Sequence, residues 1–301
     1  MTARKRFTSV LAASALALAL AGCGDDPDPV ADDTGSDESS ESTPSEEPSE
    51  PTSPPESSAP AAEMTTVPVY FMGDTPQGPR LFREFRKVEA DNPLEEAAAL
   101  MTAGDALDGD YGTAYPEGSF ASVEYADGTL VATLSDNAWT KKIQGMTAKQ
   151  VQLAVQQLVY TLQGVQQERA PVVVQLDGQP TTLFGVDTAD GLEAAKELNV
   201  LALVNVTTPE ESQAVTGTFT AEGVASSFEA TVPWQIRQGD QVVKEGFSTA
   251  LGWVDKLYPW QTDVDVSDLE PGEYTFVALT DDPSGGEGGG PTEDTKTIIV
   301  K

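Results

Sequence analysis

From Val67 onward the chain shows two hydrophobic rhythms in succession, the first mixing strand and helix periods and the second almost purely alternating. Val67-Pro68-Val69-Tyr70-Phe71-Met72 is a strand-like run stopped by Gly73-Asp74. Leu81 to Val88 partly alternates polar and apolar positions, as a second strand should. Asn92-Pro93 then opens a helix in which Leu94, Ala97, Ala98, Leu100 and Met101 recur at helical spacing until Gly104 stops it. A loop through Asp105, Asp108, Asp110 and Tyr111 follows. Phe120 to Tyr125, the dipeptide Asp127-Gly128 and Thr129 to Leu134 predict a hairpin, because Asp-Gly accepts the positive backbone angles of a tight turn. Thr147 caps a long amphipathic helix with Val151, Ala154, Val155, Leu158, Val159 and Leu162 on one side, glutamines mainly opposite, and Gly164 at its end. Pro171 to Leu176 closes the segment as an apolar strand. This order predicts an α+β domain over residues 64–197, a mostly antiparallel sheet covered by two helices.

Residues 200–301 read differently. Leu201–Val206, Ala214–Thr220, Phe228–Ile236, Gln241–Phe247, Gln261–Val266, Tyr274–Leu279 and Thr295–Val300 alternate over short runs separated by turn residues, the pattern of an all-β sandwich. Gly239-Asp240 supplies a hairpin turn. Tyr274 follows Pro271-Gly272 much as a tyrosine corner opens a strand in immunoglobulin-like sandwiches. Trp234, Phe228 and Phe276 are the expected inter-sheet packing, and Pro233 is expected to mark an edge strand or a bulge. Gly285 to Gly290 predicts a flexible loop. The short join near Leu198 to Leu201 limits freedom between the two domains, although motion between them is the default expectation.

Upstream of both domains the pattern carries a different message. Arg4, Lys5 and Arg6 precede an apolar stretch from Val10 to Leu20, the layout of a secretory leader over residues 1–22. Leu20-Ala21-Gly22-Cys23 follows, and this resembles the lipobox of bacterial lipoproteins. That resemblance implies cleavage before Cys23, diacylglycerol on its sulfur and a palmitate-type lipid holding the chain to the cell membrane, facing outside the cytoplasm. Residues 23–63 are Ser, Pro, Thr, Asp and Glu with almost no large apolar side chain, so they cannot bury enough surface to offset the entropy of ordering and predict a disordered acidic tether. About forty flexible residues span roughly 35 Å.

Composition removes whole classes of chemistry. A net charge of −32 disfavours nucleic acid, whose phosphates require clustered Lys and Arg. The sequence contains no histidine, which eliminates the commonest general base, the usual metal ligand and the Ser-His and Cys-His nucleophile pairs. With one cysteine, neither an internal disulfide nor a thiolate zinc site can form within the chain.

Several spaced segments resemble the GerMN domain of sporulation and spore-germination proteins. They are Val69-Tyr70-Phe71, the Asn92-Pro93 helix ending at Gly104, Tyr115-Pro116-Glu117-Gly118, the Asp127-Gly128 hairpin, Leu158-Val159-Tyr160-Thr161-Leu162 and Leu176-Asp177-Gly178. The second domain resembles the immunoglobulin-like domain of bacterial spore-germination proteins through Thr208-Pro209, Val215-Thr216-Gly217, Ser227 to Val232, Gly246 to Ala250 and Ile298-Ile299-Val300. The pairing implies an envelope protein that binds or scaffolds, with no catalytic residues to carry over and no cofactor.

Three groups of residues are candidates for chemistry. Asp105, Asp108 and Asp110 lack the one-apart spacing and the Gly-then-Glu ending of a calcium loop, and read as a solvated loop. Tyr160 and Thr161 either line a pocket or pack in the core. Trp253, Tyr258 and Trp260, around Leu257 and Pro259, suit stacking on a cell-wall glycan or an envelope protein, and they equally suit a sandwich core. A carboxylate-dependent glycan hydrolase is the alternative function, since such enzymes need only Asp and Glu. Capture of a small nutrient would ordinarily need a larger two-lobed body.

Overall fold

The first domain begins with a long hairpin, β1 (Met64–Gly73) against β2 (Arg80–Glu89), in a computed structural model that describes residues 62–287 and 289–301. The leader, Cys23 and the acidic tether lie outside the described residues. Alternation sets the hairpin's inner face, which buries Val67, Val69 and Phe71. Helix α1 (Pro93–Ala103) starts with proline in its first turn and ends at Gly104 in the left-handed conformation, both as the sequence dictates. After the two-residue strand β3 (Tyr111–Gly112), β4 (Phe120–Ala126) and β5 (Thr129–Leu134) pair through a two-residue turn, with Asp127 at φ 52° and Gly128 at φ 77°. Helix α2 (Ala148–Gln166) crosses back to β6 (Val172–Leu176), which therefore pairs with β5 in parallel. Two-residue strands β7 (Gln179–Pro180), β8 (Thr182–Leu183) and β9 (Val186–Asp187) complete the layer. The strands form the sheets β2-β1-β3, β4-β5-β6-β7 and β8-β9.

Helix α2 departs from the amphipathic pattern read in the sequence. Thr147 caps it as expected, and the structure adds a capping box with Gln150, but Gln156, Gln157 and Gln163 are buried and do not lie on a solvated face. Each is bonded through both ends of its amide. Gln157 donates to the Tyr70 carbonyl at 3.0 Å and accepts from the Ala114 N–H at 3.1 Å, while Gln156 donates to the Glu193 carbonyl and accepts from the Ala195 N–H. Gln163 donates to the Ala170 carbonyl and accepts from Arg169. A fully paired amide is tolerated in a core where an unpaired one is not, so the helix fastens three irregular segments at once. Gly164 does not end this helix, which runs on to Gln166. A Cβ at that position would lie 2.7 Å from the Pro68 ring, so the glycine serves the close approach of α2 to β1.

An aromatic cluster closes the same core. Trp139 is 2% exposed and meets Tyr115, Phe120 and Phe184 at centroid separations of 4.9, 5.2 and 6.4 Å. The Tyr115 hydroxyl donates to the Ala154 carbonyl of α2 at 3.0 Å. Gly118, three residues on, has φ 153° and leaves room for the Trp139 ring, which a Cβ would approach to 2.6 Å.

A join containing the short helix α3 (Glu197–Val200) leads to the second domain. Its strands are β10 (Val204–Thr208), β11 (Gln213–Val215), β12 (Thr218–Ala225), β13 (Thr231–Gln238), β14 (Gln241–Thr249), β15 (Tyr258–Asp265), β16 (Gly272–Leu279) and β17 (Glu293–Val300). They form a β-sandwich of sheets β10-β12-β15 and β11-β17-β16-β13-β14. The run read as one strand from Ala214 to Thr220 is split at Gly217, φ 59°, so that β11 joins the far sheet in parallel with β17. Tyr274 makes the expected corner, its hydroxyl donating to the Glu270 carbonyl at 2.9 Å.

Two expectations for this domain need correcting. Phe228 is 39% exposed and sits in a turn ahead of β13, while Val232, Ile236, Val264, Phe276 and Ile298 fill the space between the sheets. Pro233 marks neither an edge nor a bulge. Strand β13 is interior to its sheet, and the proline lies just beyond Trp234, the last residue paired with β16, where a missing N–H costs that ladder nothing.

Gly118→Ala should overpack the Trp139 cluster and lower stability by about 1–3 kcal/mol. A thermal melt by circular dichroism checks this, and an unchanged midpoint would show that the cluster relaxes freely.

Candidate binding crevice at the seam between the domains

Alternation along β17 carries an unexpected side-chain series onto its buried face: Asp294, Lys296, Ile298, Val300. The last two pack in the sandwich. The first two meet the loop of the first domain that the sequence read as solvated; Asp105 and Asp110 are exposed as that reading expects, but Asp108 is 4% exposed, which corrects it at that position. The Lys296 ammonium donates to Asp108 Oδ2 at 2.6 Å, to the Tyr111 hydroxyl at 2.9 Å and to Asp294 Oδ1 at 3.4 Å, and it lies 4.5 Å from the Tyr111 ring centroid. Tyr111 donates in turn to Asp294. The other oxygen of Asp294 accepts from Asn205 Nδ2 at 2.9 Å and from the Val206 N–H at 2.5 Å. Glu84, also buried, accepts from the N–H groups of Leu107 and Asp108 at 2.9 Å and so shapes the loop.

The charges in this cluster follow from burial. Burial pushes the Asp294 and Glu84 carboxyls upward, and it pushes the Tyr111 hydroxyl well above its ordinary range with help from Asp294 and Asp108. For Lys296 burial acts downward, but Asp294 and Asp108 outweigh it and hold the ammonium above its ordinary value. Asp294 receives donors from Tyr111, Asn205 and Val206 as well as the lysine, an arrangement suited to a carboxylate. One cation thus serves two carboxylates, one from each domain.

Beside this seam runs a crevice. Its inner chamber, about 110 Å³, is walled by Tyr70, Arg83, Tyr160, Leu201, Asn205 and Leu257. Tyr160, Arg169 and Glu197 extend it into an outer groove of about 620 Å³ that reaches Asp255 and Lys256. The join supplies one wall: Ala202 N–H donates to the Leu81 carbonyl at 2.9 Å, and Arg80 donates to the carbonyls of Leu198 and Leu201. Tyr160 and Tyr70 lie 5.3 Å apart at 53°, and burial pushes the Tyr160 hydroxyl up to about 12. Thr161 is buried and accepts from the Tyr70 N–H at 3.1 Å, so of that pair Tyr160 faces the crevice and Thr161 packs.

The aromatic residues singled out in the sequence separate. Trp260 is 2% exposed and belongs to the sandwich core, the packing alternative that the sequence offered for it. Tyr258 is half-buried, donates to Asp255 Oδ1 at 2.8 Å and lies beneath Lys256. Trp253 is 40% exposed and pairs edge-on with Phe228 at 5.2 Å, away from the other two. The Phe228 pairing carried no sequence signal, because 25 positions separate the rings. Among the described residues, Glu89, Asp91 and Glu96 are the carboxylates close enough to hold a metal ion together, and one oxygen of Glu96 already accepts the Glu89 N–H.

Residues 68–182 match the family described as "Sporulation and spore germination", and residues 203–287 match the "Immunoglobulin-like domain of bacterial spore germination". The two domains are a GerMN-type module and a germination-type immunoglobulin-like module. In the latter, β17 with its Asp294 and Lys296 lies beyond the matched segment. No curated protein matches the chain. Among solved structures, the tandem GerMN domains of the sporulation protein GerM from Bacillus subtilis align at 15% identity and TM-score 0.33, covering 67% of this chain and 62% of that one. The alignment thus spans less than two thirds of the GerM structure. A Jonesia denitrificans lytic polysaccharide monooxygenase aligns at 14% identity and TM-score 0.21, covering 31% and 60% of the two chains. WR4, a C. elegans MSP family member, aligns at 16% identity and TM-score 0.21, covering 33% and 99%.

Lys296→Met should cost about 3–5 kcal/mol, since it leaves Asp108 and Asp294 buried without their counter-charge. Denaturant unfolding measures this, and a loss within about 1 kcal/mol would mean the lysine is not what joins the domains. Because Lys296 and Tyr111 both hold their protons more tightly in the folded state, their contribution is intact below about pH 10 and disappears as pH rises through their folded values. Thermal midpoints taken from pH 8 to pH 11 should therefore fall, and fall less steeply in the Lys296→Met variant.

Proposed function

We propose that this protein is a lipid-anchored, non-catalytic binding or scaffolding component of the bacterial cell envelope, working in a sporulation- or germination-type process. The two modules support the sporulation-related setting. The observation that carries the binding role is the exposed apolar group at one end of the sandwich. Leu251, Trp253 and Val254 are 80%, 40% and 63% exposed within four residues of one loop, and Trp253 packs on the exposed Phe228 ring, where a soluble domain ordinarily keeps such side chains scattered. The Val254 N–H donates to the Ser226 hydroxyl at 3.2 Å, which ties its loop to the segment that leads into the Phe228 turn. An envelope protein or a cell-wall glycan is the partner such a surface would take.

The anchor is read from Leu20-Ala21-Gly22-Cys23, with the acidic residues that follow as a spacer between bilayer and modules. Among the described residues no helix is long and apolar enough to cross a membrane.

Cys23→Ala should move the protein from the membrane to the soluble fraction, as fractionation and immunoblotting would reveal; unchanged membrane association would remove the lipid from the proposal. Trp253→Ala should reduce retention on isolated envelopes while leaving the melting temperature within about a degree. Trp260→Ala should behave in the opposite way, destabilising by about 3–5 kcal/mol as a core truncation. Equal loss of stability in both variants would place Trp253 in the core and end its role as a contact residue.

A further inference from the structure

Arg83 and Asn205, which line the inner chamber, each carry a buried polar atom without a hydrogen-bond partner among the described residues. Asn205 is 3% exposed, and its amide is oriented by the Asp294 carboxylate, which accepts Nδ2 and so turns Oδ1 away. Among the described residues that Oδ1 has no hydrogen-bond partner. Arg83, from β2, donates through Nη2 to Thr207 Oγ1 at 3.1 Å and stacks at 4.7 Å over Phe85, but its buried Nε–H is unpaired and no carboxylate among the described residues lies within ion-pair distance. In a chain of net charge −32 a half-buried guanidinium without an acid is conspicuous. Leaving buried polar groups unpaired is costly, and residues line a ligand cavity in that way when the ligand completes them.

We propose that this chamber binds a small carboxylate bearing an N–H or O–H donor on the adjoining carbon, an α-amino or α-hydroxy acid. The carboxylate faces Arg83, whose guanidinium is the side chain best matched to that group, and the neighbouring donor faces Asn205 Oδ1. Leu201 and Leu257 with the rings of Tyr70 and Tyr160 supply apolar walls for a short side chain. The volume sets the size: about 110 Å³ lies somewhat below the 150 Å³ or so that accepts benzene, so the ligand has about six heavy atoms. Arg169, 63% exposed and 3.7 Å from Glu197, stands where chamber meets groove and adds positive charge at the entrance. Since Arg83 comes from the first module and Asn205 from the second, the chamber exists only while the seam holds.

The inference rests on the reading of this protein as a binder, and its test separates the two. Isothermal titration of the full chain in detergent uses four probes: L-alanine, L-lactate, acetate and L-alaninamide. Saturable binding of alanine or lactate is expected, with acetate and alaninamide at least about tenfold weaker because each lacks one of the two groups; whichever of the first two binds more tightly fixes the donor as ammonium or hydroxyl. Arg83→Gln should weaken binding by at least about tenfold, and Asn205→Leu likewise. Because both residues lie at the seam, the melting temperature of each variant is recorded, and Arg169→Lys, which keeps the positive charge at the entrance, should bind within about twofold of the wild-type chain. Failure of alanine and lactate to bind the wild-type chain overturns the chamber ligand, as does binding that survives Arg83→Gln in a folded variant. Either result leaves envelope retention through Trp253 to stand or fall on its own measurement.

Discussion

A lysine ammonium withdrawn from water is tolerable only where negative charge and hydrogen-bond acceptors replace its hydration, and Lys296 finds both by drawing on two domains at once. Asp294 comes from its own strand, and Asp108 and Tyr111 come from a loop of the other module. Neither module could keep its part of this cluster buried alone. The first would hold Asp108 without a cation, and the second would hold Asp294 and Lys296 at an end of the sandwich open to solvent. The described residues fall within one compact unit, and this shared ion cluster is one of the ties across the seam, beside the apolar contacts of Leu81, Tyr160, Leu201 and Leu257. Default inter-domain motion, the ordinary expectation for a short join, gives way to a fixed seam.

That constraint explains what lies around it. Asn205 is held in one orientation by Asp294, Val206 is drawn to the same carboxylate, and β10 is thereby set against β2, where Arg83 reaches Thr207. The buried glutamines of α2 add a second tie, because Gln156 fixes Glu193 and Ala195 just before the join. The crevice walls are thus built from groups already committed elsewhere, which gives the chamber a defined shape without a loop having to close over it. The apolar patch near Trp253 lies in the loop that continues to Leu257, whose N–H donates to Glu197 of the join at 3.2 Å.

Most of the architecture was legible in the sequence, because it depends on local signals. Pro93 and Gly104 bound α1, Thr147 caps α2, Asp127-Gly128 turns the β4-β5 hairpin, and period-two alternation marks the sandwich strands. What escaped is non-local. Charged residues in a loop resemble a solvated loop until the partner 188 positions away is known, so Asp108 was misread. A usable signal existed in β17. Counting back by twos from Val300 and Ile298 places Lys296 and Asp294 on the buried face, and a buried lysine demands an acid from somewhere. Glutamines gave no such hint, since their burial depends on backbone partners that periodicity cannot show. Trp253, Tyr258 and Trp260 looked like one cluster because they are near in sequence, but the β15 pairing places Trp260 inside and leaves Trp253 outside with Phe228.

The position of β17 also makes one strand indispensable to both modules. It is the last strand in chain order, it pairs with both β11 and β16, and it brings the one cation that Asp108 and Asp294 share. Without that strand the loop that carries Asp108 would have only water to balance its charge. Truncation short of Lys296 would therefore remove the counter-charge of Asp108 in the first module together with a sheet strand of the second.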